Sequence, residues 1–224
     1  MDTDRHGWSQ GAQVPWSRRG EVKNRHCARE WRVYVAGMLS ILELPTVRQR
    51  VARISVESYH AMSAQGLLDE RTELLRGAIV EKMTKSPLHA SVVRELFRMV
   101  SSRLRPGMVA QKEDPLTLVD SEPEPDIAVV EGRPDGYRAG HPRAALLVME
   151  VTVRTEEADR EKASIYAEAG VAEYWLVLPE KGVIEIFTQP VAGKYGETRI
   201  VRRGEVAVSP LLPELRVDIG GVFG

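Results

Sequence analysis

The chain lacks the features that define several classes of protein. It has a single cysteine, Cys27, so it can form neither an internal disulfide nor a cysteine-based zinc site, and a cytoplasmic, reducing location is expected. It has no run of about eighteen apolar residues, so no membrane span is expected. Its formal net charge of -1 excludes a polybasic nucleic-acid binder, but it leaves room for a basic groove on one face.

The length and composition indicate one folded domain with an extension, or at most two small domains. The chain has 224 residues, 43% of them hydrophobic, which is enough to build a full core. The first part places Trp8, Trp16 and Trp31 among polar residues without helical or strand periodicity. We therefore expect residues 1–45 to be an irregular or disordered extension and residues 46–224 to be the folded domain.

Helical and strand patterns alternate through the folded domain. Ser55 and Ser86 are suited to capping helices, and Pro87 is suited to the first position of the second one. The patterns predict helices after Ser55, over 87–104 and over 155–169, and strands over 76–83, 127–130, 144–152, 173–179 and 183–188, with short strands after 199. This order predicts an α/β (α+β) fold with a mixed central β-sheet flanked by helices.

A carboxylate interrupts the most apolar of these strands. Glu150 lies within ALLVMEVT, a nearly continuous apolar run that is typical of a strand buried on both faces. A buried carboxylate is costly unless it is paired, hydrogen-bonded or bound to a metal. The alternative is that Glu150 lies at the end of the strand and reaches solvent or an arginine.

A second carboxylate precedes the neighbouring strand. If strands 127–130 and 144–152 are antiparallel neighbours, Asp126 lies beside Glu150 at one end of the sheet. Two such carboxylates suit a hard, partly hydrated cation such as Mg²⁺ or Mn²⁺. The alternative for Asp126 is a turn or capping role after Pro125.

The following helix adds a cation. Asp159, Lys162 and Tyr166 are spaced to share one helix face. If that face packs on the sheet, Lys162 reaches over the carboxylate pair and can orient water or stabilise charge on a phosphate. The alternative is an exposed Asp–Lys pair of little consequence.

Two residues upstream are further candidates. Glu73 precedes the strand predicted over 76–83, and His89 falls in the first turn of the helix predicted over 87–104. A histidine there can act as a base or as a contact, although such a residue is often simply exposed. The remaining histidines show no metal-binding spacing, and the chain has no Walker, GxGxxG or GxSxG motif.

Taken together, these segments resemble a nuclease family. Pro125-Asp126, then Glu150-Val151-Thr152, then Asp159-Arg160-Glu161-Lys162, are similar to the PD-(D/E)XK motif, and in detail to the Uma-two family of restriction-endonuclease-like proteins. The resemblance covers about residues 54–219, and its specific part is the block 146–178. One position departs from the superfamily motif, because Thr152 stands where a lysine is usual.

The resemblance implies a restriction-endonuclease-like core and a set of site residues. Asp126 and Glu150, helped by the backbone carbonyl of Val151, would bind Mg²⁺ or Mn²⁺. Lys162 would replace the missing lysine. Glu73 would be an accessory acid, and His89 matches a recurrent family position.

Two functions follow from this resemblance, and a third rests on the residues. The first is a metal-dependent DNA endonuclease, in which Arg76, Lys82, Lys85, Arg154 and Arg160 would be candidate phosphate contacts and which would work as a homodimer. The second is an inactive nuclease fold that serves as a DNA-binding or assembly module. The third is a structural homodimer with the Tyr174-Trp175 hairpin at its interface.

Overall fold

The structure is a computed structural model that describes Ile41 and residues 43–153 and 156–223. A division falls between Val51 and Ala52, and each side is described by itself. Most of the predicted extension lies outside the described residues, as do Arg154 and Thr155. The helices are α1 (Pro45–Arg48), which lies before the division, α2 (Val56–Ala64), α3 (Pro87–Ser101), α4 (Glu156–Glu168) and α5 (Ile219–Phe223), with a 3₁₀ turn at Pro179–Lys181.

A six-stranded mixed sheet forms the centre of the second part, in confirmation of the predicted fold class. Its strands lie in the order β3-β4-β5-β6-β7-β8, and only β5 and β6 run parallel. The bounds are β3 (Met108–Lys112), β4 (Ile127–Glu131), β5 (Leu147–Val151), β6 (Glu173–Leu178), β7 (Val183–Val191) and β8 (Lys194–Arg202). Two hairpin-like pairs stand apart: β1 (Thr72–Leu75) with β2 (Ala78–Glu81), and β9 (Val206–Val208) with β10 (Arg216–Asp218).

The sheet separates two apolar cores. On one face, Val92 and Leu96 of α3 pack with Met149 of β5 and Trp175 of β6. On the other face, α4 packs over Val148 and Leu176. Because successive side chains of a strand point to opposite faces, Glu150 lies on the α4 side of β5.

The predicted helix boundaries agree with the structure within a few residues. The Ser55 and Ser86 hydroxyls accept the backbone N–H groups of Ser58 and His89, so both serines cap their helices as expected. Gly170 follows α4 with a φ of 75°, a left-handed conformation that suits glycine and ends the helix.

The strand that contains Glu73 was not predicted from the sequence. Glu73 lies inside β1, opposite Val80 of β2, rather than in a connection that precedes a strand. Arg76 and Gly77 make the two-residue turn with φ values of 50° and 75°, the backbone of a type I′ hairpin. The segment TELL lacks clear alternation and has only one β-branched residue, Thr72, so it does not stand out as a strand, and an unusual Arg-Gly turn conceals the hairpin.

Candidate active site

Asp126 and Glu150 meet where β4 and β5 pair. The two strands are antiparallel with Ile127 opposite Met149, so Asp126 lies beside Glu150, as predicted. The Asp126 Oδ2 atom accepts the Val151 backbone N–H at 2.7 Å, and the Asp126 backbone nitrogen lies 3.4 Å from Glu150 Oε2. The turn-type role that was the alternative for Asp126 is therefore wrong, because its side chain faces the neighbouring strand.

Glu150 is buried and surrounded by charge. Its Oε1 atom accepts the Tyr166 hydroxyl at 2.8 Å and lies 3.4 Å from Lys162 Nζ. The pKa of Glu150 is raised to about 8. Burial is the largest cause, Lys162 acts in the opposite direction, and the nearby carboxylates of Asp126, Asp159 and Glu73 contribute to the rise. The alternative of a solvent-facing Glu150 is wrong, because only 4% of the residue is exposed.

The predicted polar face of α4 packs inward. Asp159, Lys162 and Tyr166 are all buried, so the alternative of an exposed Asp–Lys pair is wrong. Burial alone would lower the pKa of Lys162, but Glu150, Glu73 and Asp159 together raise it above its ordinary value. The lysine is therefore held as an ammonium ion at the centre of an acidic cluster.

Glu73 reaches this cluster from the β1–β2 hairpin. Its Oε1 atom lies 3.0 Å from Lys162 Nζ, and its Oε2 atom accepts the Glu124 backbone N–H at 3.3 Å. The Glu124 side chain in turn pairs with Lys82 at 2.6 Å. Lys162 thus joins β1 to β5, which brings together two acidic residues that are far apart in the chain.

His89 joins from the first turn of α3. Its Nε2 atom lies 3.0 Å from Asp126 Oδ2, and its side chain is only 12% exposed. The Nδ1 atom is buried and has no hydrogen-bond partner among the described residues. The alternative of a merely exposed histidine is wrong, since His89 holds the same oxygen that accepts the Val151 N–H.

A cleft of about 460 Å³ opens onto these groups. All five side chains predicted for the site line it, together with Val151, Lys82 and Glu124. The sequence did not single out the Lys82–Glu124 pair or the hydrogen bond from Tyr166 to Glu150. Tyr166 had a signal, its position on the Lys162 face; Glu124 had only its place between two prolines.

Three of the other four cations proposed as phosphate contacts form ion pairs with carboxylates. Arg76 pairs with Glu168 on α4, and Arg160 pairs with Glu156 and Glu185. Lys85 pairs with Glu113. Arg154 lies outside the described residues.

The donor set fits a divalent cation. Within the described part of the chain, no three acidic or histidine side chains form a ready-made metal cage. Mg²⁺ is commonly held by only one or two carboxylates, with water and phosphate oxygens completing its coordination. Asp126 and Glu150 supply two carboxylates. Burial is the main cause of the raised pKa of Glu150, and its acidic neighbours add to the rise, so a cation bound here would stabilise the charged form.

Comparison with known proteins agrees with this fold. Residues 56–220 match the Uma2 family, described as "Putative restriction endonuclease", and the chain belongs to that family. A solved structure from Anabaena variabilis ATCC 29413, described as "a putative nuclease belonging to DUF820", is similar with a TM-score of 0.63. The two chains share 19% identity over 76% of this chain and 97% of the other, which supports the fold. No curated protein matches the chain.

Two further observations bear on interactions. Tyr174 and Trp175 are fully buried within the domain, so these side chains cannot form the homodimer interface suggested by the third hypothesis. No helix in the described ranges is long and apolar enough to cross a membrane. The homodimer and the cytoplasmic location stay predictions.

Proposed function

We propose that the protein is a metal-dependent DNA endonuclease whose active site is the cleft above β4 and β5. The observation that carries this proposal is the convergence of Asp126, Glu150 and Lys162 in one buried cluster that opens to solvent through the cleft. Ionisable groups that lie in a cleft, with pKa values shifted by burial and by a charged neighbour, are characteristic of catalytic sites. Membership of the nuclease family supports the same reaction class.

Asp126 and Glu150 would hold Mg²⁺ or Mn²⁺, with the Val151 carbonyl as a further ligand. A bound divalent cation would supply an activated water and would neutralise charge on the phosphate. Hydrolysis joins the water oxygen to phosphorus and breaks one phosphorus–oxygen bond of the backbone, with a proton passing to the leaving oxygen. The protein's part is to position and stabilise the reacting groups.

Each of the other residues has a distinct part in this arrangement. Lys162 would stabilise negative charge that develops on the phosphate, a role for which its ammonium state is suited. Glu73 holds Lys162 in place from β1. His89 fixes the Asp126 carboxylate through Oδ2, with its ring held by the capped first turn of α3. Thus every predicted site residue has a physical role in the cluster.

A second candidate function is an inactive nuclease fold that binds DNA or serves in assembly. The observation that favours it is Thr152, which stands where the superfamily motif usually has lysine. The position of Lys162 favours activity, because it brings an ammonium ion to the carboxylates from α4 instead.

Nicking of supercoiled plasmid separates the two functions. Purified protein is tested with Mg²⁺, Mn²⁺ and EDTA beside Asp126→Ala and Glu150→Ala, purified identically. Asp135→Asn is the matched control, since Asp135 is an exposed carboxylate outside the cleft. Metal-dependent nicking that is lost in both site variants and kept in the control supports the endonuclease. Equal nicking by Asp126→Ala would contradict it, and calorimetric titration then shows whether the metal binds at all.

A further inference from the structure

The proposed catalytic side chains are deeply buried, which limits the size of the molecule that can reach them. Glu73, Asp126, Glu150 and Lys162 are between 4% and 8% exposed, at the floor of a cleft of about 460 Å³. Pockets of this size hold one drug-sized molecule, which is the scale of a single nucleotide. A duplex is too wide to enter a cleft of this size, whereas a single unpaired nucleotide fits.

The charge of the cleft does not favour a continuous duplex. Proteins bind duplex DNA largely through lysine and arginine contacts to many phosphates. The described lining holds six carboxylates and three lysines. Each of the lysines is paired: Lys82 with Glu124 at 2.6 Å, Lys85 with Glu113 at 3.0 Å, and Lys162 with Glu73 at 3.0 Å. Even with one divalent cation bound, this surface has few positive charges to offer to a phosphate backbone.

One wall of the cleft is apolar and exposed. Val80 on β2 and Met83 just after it line the cleft, with 40% and 62% of their surfaces exposed. Val153 and Ala158 add apolar surface to the same lining. Apolar side chains contact the flat faces of unpaired bases, and this contact does not depend on sequence. Lys82 lies between Val80 and Met83 in the chain, so one phosphate beside the base can compete with Glu124 for its ammonium group.

We propose, on the basis of the endonuclease function proposed above, that the cleft binds one unpaired nucleotide between the Val80–Met83 wall and the catalytic floor. The substrate is then single-stranded DNA or a locally unpaired segment of a duplex. Binding draws on base contacts and on about two phosphates. A peptide ligand for the same wall is disfavoured, because the wall belongs to the cleft that holds the phosphodiester chemistry.

The test measures binding separately from cleavage. Fluorescence anisotropy follows a labelled 20-nucleotide single strand and the blunt duplex of the same sequence, with Ca²⁺ present and with salt varied. We expect the single strand to bind about tenfold more tightly, with a log–log salt slope of roughly -1.5, as for two phosphates. The double variant Val80→Ser with Met83→Ser should weaken single-strand binding about tenfold, the scale of one lost base contact.

The matched control is Leu67→Ser with Val191→Ser, which removes two exposed apolar side chains that do not line the cleft. Duplex binding equal to or tighter than single-strand binding overturns the inference. So does a slope of about -5 or steeper, an unchanged affinity in the Val80 and Met83 variant, or the absence of any binding. Cleavage of the labelled single strand and nicking of plasmid, both with Mg²⁺, report on the proposed function independently. Cleavage of either one with duplex-preferring binding overturns the inference alone, and single-strand binding without cleavage of either one overturns the endonuclease alone.

Discussion

Two buried glutamates on adjacent strands show the difference between a structural carboxylate and a candidate catalytic one. Glu150 is near the end of β5, and Glu173 begins β6, opposite Leu147 at the start of β5. They therefore lie at opposite ends of the parallel pair. They also lie on opposite faces, because Glu150 is opposite Leu176, and Glu173 lies three positions before Leu176 in the same strand. Burial raises the pKa of both carboxyl groups.

Their partners differ in kind. Glu173 accepts hydrogen bonds from the indole N–H of Trp175, the Ser209 hydroxyl and the Leu211 backbone N–H, and these donors are all neutral. They satisfy the carboxylate and attach the chain before β10 to the sheet. Such a group needs no further ligand.

Glu150 has a lysine and a tyrosine hydroxyl as partners, but three more carboxylates surround it. Lys162 is shared between Glu150 and Glu73, Asp126 lies beside them, and the site opens to a cleft. The comparison teaches that burial alone does not identify a functional carboxylate; unbalanced like charge beside an opening does.

The largest expected contrast is in activity. Glu150→Gln should lower plasmid nicking by roughly 10³-fold, because it removes a proposed metal ligand. Glu173→Gln should retain nicking per folded molecule. Its amide N–H₂ would replace one carboxylate oxygen and face one or two of the three donors, which should lower stability by about 1–3 kcal/mol. Nicking rates and urea unfolding measure the two effects. An inactive but folded Glu173→Gln variant would break the distinction between the two glutamates.

The next largest effect is expected in how the stability of the metal-free protein, kept so by EDTA, depends on pH. The pKa of Glu150 is raised from 4.5 to about 8, so the folded state binds the proton more tightly and stability falls as pH rises through this window. The free energy of unfolding should fall by roughly 3 kcal/mol between pH 5 and pH 8 on account of Glu150. Glu150→Gln removes this contribution, so the variant should be the more stable protein at pH 8 and nearly equal to wild type at pH 5.

Urea unfolding at four pH values measures this difference. The glutamate and the glutamine variant share every other titrating group, so their difference isolates Glu150. Parallel curves for the two proteins would show that Lys162 compensates the buried charge fully.

Local patterns were sufficient to predict much of this site. The antiparallel pairing of the strands after Asp126 and before Glu150 follows from a turn-rich connection, and the Asp159–Lys162–Tyr166 face follows from helical spacing. The motif resemblance then assigned these residues to a nuclease family, which the family match confirms. These features lie within short stretches of chain.

Other features depend on tertiary contacts that no short stretch contains. Glu73 meets Lys162 only because a hairpin hidden in TELLRGAIVE packs across the cleft from α4. Glu173 looked like an ordinary strand residue, since its partners Ser209 and Leu211 arrive from the far end of the chain. Which carboxylate is satisfied and which is left with excess charge is therefore a property of the folded molecule.

A smaller effect is expected from Lys162, which pairs with Glu150, whereas Glu173 has no charged partner of this kind among the described residues. Lys162→Ala should lower nicking roughly 10²-fold, because charge on the phosphate loses its stabilising ammonium ion. Metal binding by calorimetry should persist, since Asp126 and Glu150 are unchanged. Lys181→Ala is the matched control, an exposed lysine that pairs with Glu156. Cleavage by Lys162→Ala at the wild-type rate would exclude Lys162 from catalysis.

The smallest effect concerns the hydroxyl that orients Glu150. Tyr166→Phe removes the 2.8 Å hydrogen bond to Oε1 and leaves that oxygen to Lys162 alone. Groups that orient metal ligands typically contribute about 10-fold or more, so metal affinity and nicking should both fall by about that factor. Tyr195→Phe is the matched control, because its hydroxyl bonds the Val171 carbonyl and its ring stacks on Tyr174 without reaching the site. Tyr166→Phe could lose stability as Tyr195→Phe does and yet keep wild-type metal affinity. That result would mean that Lys162 and burial orient Glu150. Tyr166 would then be a structural hydrogen-bond donor, like the partners of Glu173.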